Sequence, residues 1–461
     1  MKKLISLLLC LCLLFGCALA ESSAETAIVL GDEITVNGSA ISEDTASIVY
    51  LDHVIETHED VPEELAGLEN RVVTITDGGV YRISGTAEDT QIAVKADDGD
   101  QVRLILDGID ITCRTNAAIA VYSAADPRTA GEYDVAIELA AGSENTVTGS
   151  HNSAEEDDGI EFDGAISSAV SLGFEGEGSI TIYGDKEGVE VSGGHMTING
   201  GRLHIEAGDD PLNVSEDNFG VLTMNAGYVF SSVRPEAGGE GDGIDSNGWI
   251  VFNGGTAINL AHPTSQDGGI DSDMGSSING GVIVGAGNMY DPIDTGSAQL
   301  FMMLEFGQAT NDLVVVTDEN DIPVFAYDFP YDYMYIAFST PDLTEGTYRV
   351  YLGGEIDGEQ TDGLYTSIVS YIPGTLMQHG EGNAQQRNRG GFGGGIGSFP
   401  GGMERPEMPE GAEFPDGMQW PEMPEGGFGG MRGLQSSADA ATSDFVLTKE
   451  STGFTNVRAA E

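Results

Sequence analysis

Short runs of alternating apolar and polar residues, broken by Gly, Asn and Asp turns, fill the middle of this chain. Residues 179–183, 203–205 and 249–252 are such runs, and their period of two predicts strands of three to five residues. No stretch here holds a 3.6-residue apolar period long enough for a helix. The runs belong to a repeating unit anchored at Val189, Leu212, Ile244, Ile270 and Ile293. A second landmark keeps phase with it: Asn199, Asn225, Asn253 and Asn279, each opening a small-residue turn, stand 26, 28 and 26 residues apart. So long and regular a period is the mark of a solenoid. Three short strands and three turns per unit predict an all-β fold, a right-handed parallel β-helix with the anchors stacked inward and alternate residues facing solvent.

Residues 72–75, 81–85, 102–108 and 135–139 read as earlier, less regular coils, so the predicted solenoid runs over 72–296. Open strand edges invite pairing with other chains and need covers. Residues 21–71 are expected to cap the N-terminal end, and longer strands around 300–304 and 333–338 predict a small β-sandwich-like cap over 297–374. From 379 to 442 glycine, proline, methionine and glutamate dominate, and Pro406-Glu407-Met408-Pro409-Glu410-Gly411 recurs at 421–426. That tract has too little apolar surface to offset about 1–2 kcal/mol of ordering entropy per residue, so it is expected to be disordered. A terminal strand pattern returns at 444–448, within a last segment 443–461.

The N-terminus reads as a secretory signal over 1–20, with Lys2 and Lys3 before an apolar core and Ala18-Leu19-Ala20 as the cleavage site. Leu14-Phe15-Gly16-Cys17 is a near match to a lipidation box, with Phe15 bulky for it, so anchoring through Cys17 stays open beside free secretion. Either way the expected location is extracellular or the cell surface. No other stretch approaches the roughly 18 apolar residues of a membrane span. Loss of Lys2 and Lys3 would make the formal net charge of −58 two units more negative. Such a chain repels nucleic acid and anionic membranes. Cys10, Cys12 and Cys17 fall in the leader, which leaves Cys113 alone and no intramolecular disulfide. Stability must then come from a large core or from metal.

The turns of the repeat are crowded with acids: Glu187, Glu190, Asp209, Asp210, Asp242, Asp245, Asp267, Asp271, Asp273, Asp291 and Asp294. Adjacent coils lie about 4.8 Å apart. Two carboxylates at that distance repel by about 0.9 kcal/mol in water and about 3.5 kcal/mol at an effective dielectric of 20. Several such contacts would consume much of a typical net stability of about 5–15 kcal/mol. Calcium, which takes 6–8 oxygen ligands, could bridge neighbouring coils. The expected metal ligands are Glu187, Glu190, Asp210, Asp242, Asp245, Asp267, Asp271 and Asp294. Zinc or copper would ask for His or Cys clusters, and the seven histidines are scattered. A lone Asp-Gly is also simply a good turn, and the asparagines need no function beyond a stacked ladder in left-handed turn geometry.

Asp242-Gly243-Ile244-Asp245-Ser246, Gly268-Gly269-Ile270-Asp271-Ser272 and the Asn-Gly-Gly turns resemble a secreted carbohydrate-binding β-helix family related in fold to pectate lyases. Residues 80–86 and 102–108 look like that family's first coils, and the Gly/Pro/Met/Glu insert is similar to one its members carry. The likeness spans residues 70–374 and 443–457. It implies a calcium-binding β-helix that binds cellulose or acidic plant polysaccharides such as polygalacturonate, without established lyase activity. The family's acidic turns carry over best to Asp210, Asp242, Asp245, Asp267 and Asp271, and less well to Glu187 and Glu190. Asn213 departs from the acid expected there, and Val191-Ser192-Gly193 lacks the basic residue many members carry.

Two other functions compete with calcium-dependent binding. A pectate-lyase-like enzyme would need a Lys or Arg base of lowered pKa. Lys186 sits among acids, which raise it; Arg202 and Arg234 are the remaining candidates on the coils. Paired-carboxylate glycosidase chemistry lacks a distinguished pair. The third reading is a structural or adhesive rod. Tyr183, Tyr228, Trp249 and Tyr290 are the aromatic candidates for sugar contact, though such strand residues are as often core, and the sequence singles out no carbohydrate-binding residue. The oligomeric state is equally silent.

Overall fold

The computed structural model describes residues 25–53, 65, 68, 70–151, 162–237, 239–380 and 441–460. The expected leader at 1–20 and nearly all of the tract at 379–442 lie outside the described residues. Among those residues the chain is all-β, with one 3-10 turn at Pro235–Ala237 and no α-helix.

Strands repeat in threes, and each pairs in parallel with its counterpart one unit on. A first ladder runs through Thr90–Lys95, Ile119–Ser123, Gly164–Ser168, Glu187–Val191, Leu212–Val214 and Asp245–Ser246. The second holds Val135–Leu139, Leu172–Gly176, Met196–Ile198, Val221–Met224, Trp249–Phe252 and Gly275–Ile278. The third holds Glu144–Gly149, Ser179–Gly184, Arg202–Ala207, Tyr228–Val233, Thr256–Leu260 and Val282–Gly287. Each unit visits the ladders in that order, and the acidic turn joins the third ladder to the next rung of the first.

Register follows burial. Val189 pairs with Leu212, Met196 with Leu222, and Leu203 with Val229, so like apolar side chains stack rung on rung. All six are fully buried, or nearly so, in one continuous core. Each such side chain contributes about 1.5–3 kcal/mol on leaving water.

The turn between the second and third ladders is stitched by its asparagines. Nδ2 of Asn225 donates to Oδ1 of Asn199 at 2.8 Å, and Asn253 to Asn225 and Asn279 to Asn253 at 2.9 Å each. The ladder is as expected, but the left-handed backbone is not theirs. It belongs to the glycine two residues after each asparagine, with φ of 82° at Gly201, 89° at Gly227, 82° at Gly255 and 95° at Gly281. An L-residue there would be strained, so glycine turns the chain and the asparagine is free to bond upward.

Both ends of the stack meet strands of opposite direction. Val49–Asp52 runs antiparallel to Arg71–Ile75, which leads into the first ladder. Tyr333–Ser339 runs antiparallel to Val282–Gly287, the last rung of the third, and on its other edge pairs with Phe301–Thr310. The C-terminal strands also pack sideways. Ile258, Leu260, Val284 and Ala286 point out of the third ladder and are buried with Leu304, Phe306, Tyr327 and Phe338 in a second core.

Candidate functional site

The acidic turns align by register. Two residues before each first-ladder anchor stand Glu187, Asp210 and Asp242, and then Gly268, where the row loses its acid. One residue after the anchor stand Ser167, Glu190, Asn213 and Asp245. Asp271 continues this second row: its N–H donates to the Ile244 carbonyl at 2.9 Å, and its own carbonyl accepts from Ser246 at 3.3 Å. Asp267 lies one position out of phase, beside Gly241.

The last unit breaks the phase. Ile293 bridges to Ser276 of the second ladder rather than stacking on Ile270. Asp294 is therefore exposed and caps its own turn, accepting from Gly296 N–H at 2.7 Å. Asp291 takes the place beside Asp271, where its Oδ2 accepts from the Ser272 N–H at 3.2 Å.

Several half-buried acids of these turns tie one coil to the next through backbone amides. Asp210 accepts from Asp242 N–H at 2.7 Å, Asp242 from Gly268 N–H at 2.6 Å, and Asp267 from Gly241 N–H at 2.7 Å. Glu190 is the most fully satisfied: its Oε2 accepts from Asp163 N–H at 2.9 Å and its Oε1 from the Ser215 hydroxyl at 3.0 Å.

Glu187 is not satisfied. One oxygen accepts from Asn213 Nδ2 at 2.8 Å, and the other has no partner among the described residues, although the residue is only 5% exposed. Asp163 Oδ1 and Asn213 Oδ1, on the rungs either side, are likewise buried and unpartnered. Asp163 gives its other oxygen to the Lys186 ammonium.

Burial drives the electrostatics. It lifts the Glu187 carboxyl well above the usual range, and the charges of Glu190 and Asp210 add to it. Asp210 and Asp242 are raised in the same way, the latter also by Asp271. Glu190 is pushed up to about 7 by burial and then by Asp163, against the lowering effect of its hydrogen bonds. Asp245 rises to about 7 through burial and Asp271, and Asp291 to about 8 through burial and a hydrogen bond to the Asp271 carboxylate. A column of acids in this state near neutral pH holds protons or exchanges them for a cation. Lys186 is lowered by burial, but Asp163 and then Glu187 outweigh that and hold the ammonium above its ordinary value.

The donor set is all oxygen, and three buried oxygens lack any hydrogen-bond donor, which suits a hard cation such as calcium. Among the described residues no three Asp, Glu, His or Cys side chains already converge around one point. The chemistry fits an ion, and a change of rotamer would be needed to enclose it.

Asp163, Ser167 and Ser215 escaped the sequence reading. Asp163 stands three residues before Ile166, as Lys186 does before Val189 and Asp267 before Ile270, so a faint signal existed. Of the aromatic candidates, Trp249 is buried, while Tyr183, Tyr228 and Tyr290 are half-buried.

Residues 69–297, which hold nearly all three ladders and the acidic turns, match a family described as "Carbohydrate-binding domain-containing protein". A protein of the same description from Acetivibrio thermocellus is 31% identical over 139 residues, 28% of this chain and 46% of its own. The chain thus spans less than half of that relative's length. A solved structure described as a polysaccharide lyase-like protein from C. thermocellum, in a gadolinium derivative, aligns at 23% identity over 56% of this chain and 93% of the other, with a TM-score of 0.37. That superposition is too distant to say more about this chain. The matched model and the relative carry the same description, that of a carbohydrate-binding domain-containing protein. Among the described residues no helix is long and apolar enough to cross a membrane.

Proposed function

We propose that this chain is a secreted, non-catalytic protein that binds plant cell-wall-type polysaccharide, cellulose or polygalacturonate, and depends on calcium. The parallel ladders support reading the fold as a right-handed β-helix, and the family match supports a carbohydrate partner. The calcium dependence rests on one observation: Glu187 Oε2, Asp163 Oδ1 and Asn213 Oδ1 are buried oxygens with no hydrogen bond among the described residues. Glu187, Glu190 and Asp163 would hold the ion at one end of the column, and Asp242, Asp245 and Asp271 at the other. A bound calcium supplies positive charge and open coordination positions that a uronate carboxylate can fill. The chain's own acids would do the rest by keeping that charge at a fixed edge of the rod.

A lyase reading finds less support. Its base would have to give up a proton, and Lys186 is held charged by Asp163. Binding to insoluble cellulose and to polygalacturonate gel, each with calcium and with EGTA, tests the proposal. Retention on polygalacturonate that is indifferent to EGTA would remove calcium from it. Unsaturated uronate released with calcium present would make the protein an enzyme.

A further inference from the structure

The outward face of the third ladder is carpeted unlike the other two. Thr146, Thr181, His204 and Phe230 form one cross-rung row, and Thr148, Tyr183 and Glu206 the next. All are half-exposed, although they stand mid-sheet. Among the described residues, the hydroxyls of Thr146, Thr148, Thr181 and Tyr183 make no hydrogen bond.

Two features turn this face into a trough. His204 and Phe230 stack with ring centroids 4.6 Å apart and planes 26° from parallel. The second ring face of His204 therefore looks down the row over the small Thr181, and Tyr183 lies diagonal to it. Beyond Phe230 the floor stops at the C-terminal strands, which cover Ile258 on the next rung. There Asp362 reaches in to accept from the Tyr228 hydroxyl at 2.6 Å and to pair with Arg202 at 3.0 Å.

We propose that this trough binds a neutral glycan chain, separately from the acidic turns. The inference rests on the carbohydrate-binding reading above and adds a second, cation-independent subsite to it. Free hydroxyls spaced by the rung distance suit a polymer of hydroxyls, and an open ring face suits the C–H face of a sugar. Charge selects against a uronate here: Glu206, whose Oε1 lies 3.2 Å from His204 Nε2, and the exposed Glu144 flank the trough, and Arg202 on the same strand is paired with Asp362.

Affinity electrophoresis of the full chain through gels holding hydroxyethylcellulose or polygalacturonate, each with calcium or EGTA, tests this. The expected result is retardation by hydroxyethylcellulose in both buffers. Tyr183→Ala and His204→Ala should each weaken it roughly threefold to tenfold, the range of a lost ring contact. Thr181→Lys, which fills the space under His204, should abolish it. All three should stay folded, with His204→Ala melting slightly lower for its lost Phe230 stack and Glu206 contact, and all should keep wild-type retention on polygalacturonate with calcium. Neutral retention that survives all three substitutions overturns the subsite. So does wild-type protein held by polygalacturonate alone, an outcome that leaves the broader function standing. Retention by neither polymer ends both.

Discussion

Asn213 donates to Glu187 from the next coil at 2.8 Å, and the contact leaves each partner with one buried oxygen unmatched. It is the place in the acid rows where an amide interrupts the carboxylates. Asn213→Asp would replace the donor by a charge beside Glu190, Asp245 and Glu187. In EGTA the variant should lose about 1–3 kcal/mol of stability, the cost of an unsatisfied buried group. In saturating calcium the deficit should shrink, because a carboxylate is the better ligand. Thermal melts of both proteins in both buffers decide it. A deficit equal in the two buffers would show that no ion reaches this rung.

Acid should stabilise the calcium-free protein. Glu190, Asp245 and Asp291 hold their protons to about 7, 7 and 8 in the fold, against ordinary values of 4.5, 3.8 and 3.8. The folded state therefore binds more protons than the unfolded chain between those limits. Their favourable state is fully present below about pH 4 and is lost as pH rises toward about 8. In EGTA the melting temperature should fall over that window, and calcium should flatten the fall by competing with protons. Glu190→Gln, which mimics the protonated acid, should raise stability near pH 8 by on the order of 2 kcal/mol. A melt in EGTA that rises steadily from pH 5 to pH 8 would contradict the assignment.

Lys186→Met separates structure from catalysis. Asp163 would keep its burial and lose its ammonium, so the melt should drop by about 1–3 kcal/mol, a loss moderated by the partial exposure of Lys186. Retention on polygalacturonate with calcium should not change. A loss of uronate-releasing activity, with binding intact, would instead place Lys186 in a reaction.

The asparagine ladder should matter modestly. Asn225→Ala removes two exposed hydrogen bonds, one to Asn199 and one from Asn253. Water can replace part of each, so the expected cost is about 1–2 kcal/mol, read as a lower urea midpoint with unchanged glycan retention. A variant as stable as wild type would reduce the ladder to ornament.

The all-β character was legible because alternation states which residues of a strand point inward. Val189, Leu212 and Leu203 announced themselves, and they are core. What covers the outward residues was not legible: an apolar Ile258 in place of the half-exposed Thr181 signals a cover on that face but does not say that the C-terminal strands supply it. The acids were readable as a repeat, but their phase was read from spacing alone. Spacing placed Asp294 in line, where hydrogen bonding places Asp291, because the last unit shortens and Ile293 shifts to the second ladder. Asp163 stayed hidden since the sequence between Gly149 and Ile166 is longer than the matching stretch of the later units and breaks the period. The left-handed positions were assigned to asparagines whose glycine neighbours take them, a distinction of two residues that composition does not resolve.

The strand at Tyr333–Ser339 meets the final rung of the third ladder head to tail, and Phe301–Thr310 fills its far side. A neighbouring molecule offering its own first coil would find no vacant edge on that rung, since Tyr333–Ser339 already takes its backbone groups. Along this ladder, end-to-end pairing through the last rung is blocked because its edge is already occupied. The length of this ladder is then set by the number of units in the sequence, and no further rung can be added at that edge without first displacing Tyr333–Ser339.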